Sequence, residues 1–126
     1  MLLFEPRRRM PMQQLSHERL EVYQKAVEFL ALAVRLIDTI PRGNQTIVDQ
    51  LRRASISTVL NIAEAAGHPY VQKRRNHYAI ARGSALECGA ALDTCKVLEI
   101  GDQNIFPTGK ALLVSVVSML SKMCKG

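Results

Sequence analysis

Residues 47–64 read IVDQLRRASISTVLNIAE. Ile47, Leu51, Ala54, Thr58 and Ile62 recur every three or four positions, with Ala63 beside them. That is the period of one helical face. Few aromatics (three Phe, three Tyr, no Trp) and few Gly and Pro also suit helices, since an all-β domain would want more turns and more aromatics. The same stretch carries a second, polar ridge. Arg53, Ser57, Asn61 and Glu64 are spaced four, four and three, so they too line up on a helix. A helix with one apolar stripe and one polar ridge calls for helical neighbours on both.

Those neighbours follow on either side. Upstream, Leu20, Tyr23, Val27, Leu30, Val34 and Ile37 trace a stripe on a helix running from an N-cap at Ser16 to about Thr39. Glu18 falls in its first turn, where the helix dipole favours an acid. Pro41 and Gly43 end this helix, and Asn44 or Thr46 starts the next, which fades at Gly67. Pro69 suits a first helical turn. A third helix spans about Tyr70 to Glu99, with Val71, Tyr78, Ala81, Ala85, Cys88, Leu92, Cys95 and Leu98 inward and Gly101 as its terminator. Gly83 and Gly89 inside it weaken the helix, by up to about 1 kcal/mol each relative to Ala. Close approach of another helix is the expected compensation. Pro107 opens a fourth helix that reaches Met123 or Cys124. Short loops make neighbours antiparallel. The expected fold is all-α, an antiparallel up-down-up-down four-helix bundle over residues 16–126. Residues 1–15 hold Pro6, Pro11 and Arg7–Arg9 without periodicity and are expected to be a flexible basic tail. Met10 and Met12 are alternative starts to Met1.

The apolar residues exceed what one bundle buries. In the fourth helix Leu112, Leu113, Val114, Val116, Val117, Met119, Leu120 and Met123 point in most directions, leaving Ser115, Ser118 and Ser121 or Lys122 as a narrow polar stripe. In the first, the polar stripe Glu21, Lys25 and Glu28 is interrupted by Leu32 before Arg35. A second apolar face needs a second partner, and self-assembly is the simplest one.

Several classes drop out. The longest apolar run, Phe29–Val34, is flanked by Glu28 and Arg35 and is far short of the roughly 20 residues a membrane helix needs. No segment is expected to span a membrane, and the start lacks signal-peptide order. Cys88, Cys95 and Cys124 are odd in number and lack metal-type spacing. They read as small core residues in a reducing compartment, which points to the cytoplasm. There is no zinc spacing, no glycine-rich phosphate loop and no GxSxG. The chain has no Glu-x-x-His for a di-iron centre. Neither His68 nor His77 has an Arg at the distance helical ribonucleases use. Glu18 and Glu21 form only one acidic pair. No metal, cofactor or catalytic residue is expected. A hydrolase using Glu64, Glu87 and His77 is the weakest alternative.

Charge is unevenly placed. The net formal charge is +6. Residues 42–82 hold seven bases (Arg42, Arg52, Arg53, Lys73, Arg74, Arg75, Arg82) against Asp49 and Glu64. Lys73 and His77 share one face; Arg75 and Arg82 share another. Tyr70 and Tyr78 offer rings for base stacking. Phosphate backbones are the matching partner, with Arg52, Lys73, Arg74, Arg75 and Arg82 as contact residues. A solubilising surface is the alternative. Ser84 and Glu87 sit inward on the third helix, opposite the ridge. Arg53, Ser57, Asn61, Glu64, Ser84 and Glu87 are therefore expected to form a buried polar network, with Arg53 pairing to Glu87 rather than to Glu64, three turns away on its own helix.

Three ordered motifs carry a resemblance. QLRRASIS (50–57) followed by NIAE (61–64) is similar to the "QLRRAAxS-(I/P)-xNIAEG" signature of a bacterial four-helix-bundle family. LEVYQKAV (20–27) resembles its "L-x-VYQKA" opening, and ARGSALE (81–87) its "A-x-GSxxE" segment. The family includes proteins encoded in intervening sequences of 23S ribosomal RNA genes. Val59 stands where the family has proline, and Ala65 replaces its glycine, which moves the flexible point to Gly67. The resemblance implies a left-turning bundle that assembles as a five-fold ring. It also implies kinship with retroelement accessory proteins that bind nucleic acid and a reverse transcriptase. The expected function is thus a non-enzymatic, homo-oligomeric nucleic-acid-binding protein, with RNA, DNA or a nucleic-acid-processing protein as partner. The alternative is a protein-interaction scaffold.

Overall fold

The computed structural model describes residues 15–125. Most of the expected tail, with Arg7–Arg9 and all three candidate starts, lies outside them. Four α-helices follow in order: α1 (Glu21–Asp38), α2 (Gln45–Gly67), α3 (Val71–Leu98) and α4 (Phe106–Met123). A 3-10 turn, Gln103–Ile105, precedes α4. No strand occurs among the described residues. Each helix packs on its chain neighbours, and α1 closes the ring against α4. That is an up-down-up-down four-helix bundle. The broadest interface joins α2 to α3.

The first helix starts later than its cap signal suggested. Ser16–Arg19 form a separate turn, and Leu20 precedes the helix at Glu21 without a side-chain cap. Glu18 accepts from the Leu15 backbone N–H, and Gln24 donates to the Glu18 carbonyl. These local bonds stop the helix from growing backwards.

The buried face of α1 is also not the expected one. Val22, Ala26, Phe29, Leu32, Ala33 and Leu36 are buried. Leu20, Tyr23, Val27, Leu30 and Ile37 are only half-buried along its flank, and Val34 is exposed. Leu32 thus fills the core instead of interrupting a polar face. Ala26 and Ala33 are small, so α1 sits close to its neighbours with Phe29 between them. In α3, Val71 and Leu98 are exposed because the bundle ends before they reach it. The rest of its expected inner face is buried, together with Ser84 and Ala91.

α3 ends on Glu99, which takes a left-handed conformation at φ 54°. The Ile100 N–H bonds back to the Cys95 carbonyl, and that of Glu99 to Lys96. This is a Schellman closure, so Gly101 is not the terminator. Gly101 has φ 83°, and a Cβ there would lie 2.8 Å from Leu36 Cδ1. Both conformation and space demand glycine. Asp102 N–H then donates to Thr39 Oγ1, tying this connection to the end of α1.

Gly83 and Gly89 have no atom within 4 Å of an added Cβ. The close approach expected there is absent among the described residues. It occurs instead at Gly109 of α4, where a Cβ would meet Leu92 at 3.2 Å and Leu32 at 3.3 Å.

One stretch, Gln103–Met123, is long and apolar enough to cross a membrane by length and composition alone. This corrects the expectation that no segment is. Its buried residues Phe106, Gly109, Leu113, Val116 and Leu120 face the core, as in a bundle helix. Among described residues its one strongly exposed large apolar side chain is Val114, so α4 carries less surplus than its sequence suggested.

Candidate nucleic-acid interface

The polar ridge of α2 runs beside the apolar stripe, along the seam with α3. Arg53 Nη2 lies 2.9 Å from Glu87 Oε2. Its Nε and Nη2 also donate to Gln50 Oε1 at 3.3 and 2.7 Å. One level along, Ser57 and Ser84 share a 2.8 Å hydrogen bond. Asn61 Nδ2 donates to the Ser57 carbonyl at 3.0 Å and to its Oγ at 3.2 Å. Asn61 Oδ1 then accepts from His77 Nδ1 at 3.0 Å, which assigns the ring proton to Nδ1. The seam therefore couples α2 to α3 at three levels and fixes their register.

It is not a buried network. Ser84 is buried, Ser57 and Asn61 are half-buried, and Arg53, Glu64 and Glu87 are exposed. The Arg53 and Glu87 side chains are 58% and 46% exposed, so their pair is a surface pair worth at most about 1 kcal/mol. Glu64 makes no hydrogen bond or ion pair among the described residues. The spacing aligned six residues on one seam but carried no depth. His77 was missed as a member because its partner Asn61 lies sixteen positions away.

The five expected phosphate contacts do not form one patch. Lys73 is exposed on the first turn of α3. Arg74 is half-buried, and its Nη1 donates to the carbonyls of His68 and Pro69 at 3.0 and 3.2 Å. It braces the α2–α3 corner. Arg82 Nε donates to Ser121 Oγ of α4 at 2.7 Å. Arg75, seven positions earlier, is half-buried on that same flank. Arg52 is exposed, but on α2 it sits roughly 22 Å along the axis from the corner.

The aromatic residues are likewise divided. Tyr78 is buried, 8% exposed, so its ring is not available for stacking. Burial raises its hydroxyl pKa, against a smaller opposite pull from Arg74. Tyr70 is 68% exposed at the corner. Its ring centroid lies 5.6 Å from that of His68, which lies 6.3 Å from that of His77. The sequence offered no sign of this row, since His68 and His77 come from opposite sides of the turn.

Two cysteines, Cys88 and Cys95, are buried in the core. Burial pushes the Cys88 thiol up to about 12, eased by a hydrogen bond with Thr58 and reinforced by Glu87. Cys95 is raised by burial as well. Neither thiol is a nucleophile at neutral pH. Among the described residues no three His, Cys, Asp or Glu side chains gather as a metal site.

The helical order, the α2–α3 seam and its motifs agree with one family model, 23S rRNA-intervening sequence protein, which matches residues 18–122. The chain belongs to that family. No curated protein matches it. Against the signature of the 23S rRNA-intervening sequence proteins, Val59 is buried within an unbroken α2, and the helix ends at Gly67. Without proline at 59, every backbone N–H of that turn stays available to the helix.

Proposed function

We propose that this chain is a non-enzymatic, homo-oligomeric nucleic-acid-binding protein of the cytoplasm. The observation that carries the reading is charge placement. Seven bases face two acids in residues 42–82, and Arg52 and Lys73 project into solvent from that half. The family's description loosely suggests an RNA-associated role, and the ligand in this reading is RNA or DNA. Arg74, Arg75 and Arg82 contribute field more than contact, since Arg74 and Arg82 already hold protein acceptors. A nucleic-acid-processing protein is the further partner this reading admits.

Self-assembly, as a five-fold ring, is part of the proposal. Its support is the exposure of Ile56, Leu60, Ile80 and Leu86 on the outer side of α2 and α3. On the same side, an added Cβ at Gly83 would meet nothing within 4 Å among the described residues. That face also supports the second reading, a protein-interaction scaffold whose charge only solubilises.

Anisotropy with a labelled structured RNA across a salt series separates the two. Binding through phosphate contacts weakens as salt rises, by about 0.7–0.9 in log K per log salt for each contact. Lys73→Glu with Arg52→Glu should flatten that slope. Affinity that ignores both salt and the substitutions leaves only the scaffold. Light scattering should give a mass near five chains of 14.0 kDa, and a single-chain mass would reject assembly.

A further inference from the structure

We propose that the α2–α3 corner is a stacking platform for one unpaired base, with Tyr70 as the ring and Lys73 on the adjoining phosphate. The proposal rests on the nucleic-acid reading above and names the class of ligand: a single-stranded segment, not a duplex.

Three observations converge on this corner. The first is exposure. The chain has three tyrosines. Tyr78 is buried, and Tyr23 is half-buried against His17, with ring centroids 4.5 Å apart. Only Tyr70 leaves most of its ring in water, at 68%. A base has two apolar faces of similar size, and stacking covers one of them together with that ring.

The second is rigidity. The His68 N–H bonds to the Ala65 carbonyl, and the Arg74 N–H to that of Tyr70. The Tyr70 N–H reaches His68 Nδ1 at 3.3 Å. Arg74 holds two corner carbonyls from inside, and His77 is anchored on Asn61. The backbone that carries Tyr70 is thus pinned before any ligand arrives, with the His68 ring tilted 51° beside it, so little backbone ordering opposes binding.

The third is charge. Residues 65–86 contain no acid, and Lys73 follows Tyr70 by one turn with its ammonium in no ion pair among the described residues. Glu64, at the end of α2, is the nearest acid along the chain. The up-down order brings the end of α4, with Lys122 and exposed Lys125, to the same end of the bundle. The start of α1, with Glu18 and exposed Glu21, lies at that end too, so Lys73, one turn from the ring, is the cation the platform offers to a phosphate. A duplex would have to unstack a base to use a ring on this convex corner, whereas a single strand offers its bases freely.

The test compares one fluorescent RNA, single-stranded and annealed to its complement, against the full chain and its Tyr70 variants. Tyr70→Ala should weaken single-strand binding about 5- to 150-fold, the range for a lost stack of roughly 1–3 kcal/mol. Duplex binding should change less than about twofold on that argument. Tyr70→Phe should keep wild-type affinity, because the stack needs the ring and not the hydroxyl. A 2-aminopurine in the strand should be quenched by wild type and Tyr70→Phe only. If wild type binds but Tyr70→Ala weakens both forms equally or neither, the platform is refuted and the broader reading stands. If wild type binds no oligonucleotide, both fall. A Tyr70→Ala chain that loses its oligomeric mass would assign the ring to an interface between copies instead.

Discussion

Adding one methyl group at Gly83 and at Gly109 should move stability in opposite directions. Alanine gains up to about 1 kcal/mol over glycine inside a helix. At Gly83 nothing lies within 4 Å of the new Cβ, so most of that gain should be realised. For a domain of this size it raises Tm by roughly 4 °C. At Gly109 the same Cβ would lie 3.2 Å from Leu92 Cδ1, 3.3 Å from Leu32 Cδ2 and 3.5 Å from Phe29 Cε1. All three side chains are buried and belong to two other helices. They cannot retreat together without opening space elsewhere, and overpacking of this kind costs about 1–3 kcal/mol. The propensity gain is smaller in the first turn of α4, so the net loss should be about 1–2 kcal/mol. Urea unfolding followed by circular dichroism, at one protein concentration, measures both. The reasoning is refuted if Gly109→Ala is as stable as Gly83→Ala. Light scattering belongs beside it. Should Gly83→Ala lose stability and mass together, a second chain covers α3 at that point, and its Cβ clashes there instead.

Two further outcomes follow from the core and the seam. The unfolded chain releases the Cys88 proton near 9.0, while the folded chain holds it until about 12. Its contribution is whole below pH 9 and lost as pH rises towards 12, by about 1.4 kcal/mol per unit. Between pH 8.5 and 10 wild type should therefore lose roughly 1 kcal/mol more than Cys88→Ala, and parallel losses would contradict the burial argument. For the seam, a double-mutant cycle on Arg53→Ala and Glu87→Ala should give a coupling below about 1 kcal/mol that shrinks with salt. A coupling of several kcal/mol would mean the pair is buried in the assembled protein.

The four helices were legible because their signals are local. Pro41 with Gly43, Gly67 with Pro69, and Gly101 with Pro107 bracket the helices within a few residues of where they end. The seam was legible too, since positions spaced four, four and three must share a side of α2 whatever surrounds them. The missed features all depend on what lies across from a residue. Arg74 reads as a free cation in sequence, and only the turn of the chain brings the His68 and Pro69 carbonyls to its guanidinium. Glu99 carries no left-handed signal, but the loop to α4 requires that conformation one residue after α3.

α1 shows where the division falls. Its sequence determined that a helix forms between Ser16 and Pro41, apolar on more than one side. Two stripes share its period, one through Tyr23 and Val27 and the other through Ala26 and Phe29. Periodicity cannot choose between them, because a helix looks the same to its own hydrogen bonds however it is rotated about its axis. Packing chose the second. The alanines let α1 approach its neighbours, and Phe29 and Leu32 fill the space over Gly109. The same rule decided which tyrosine is buried and which stands in water. Spacing sets which residues share a face, and only the volume offered by the other helices sets which face is inside.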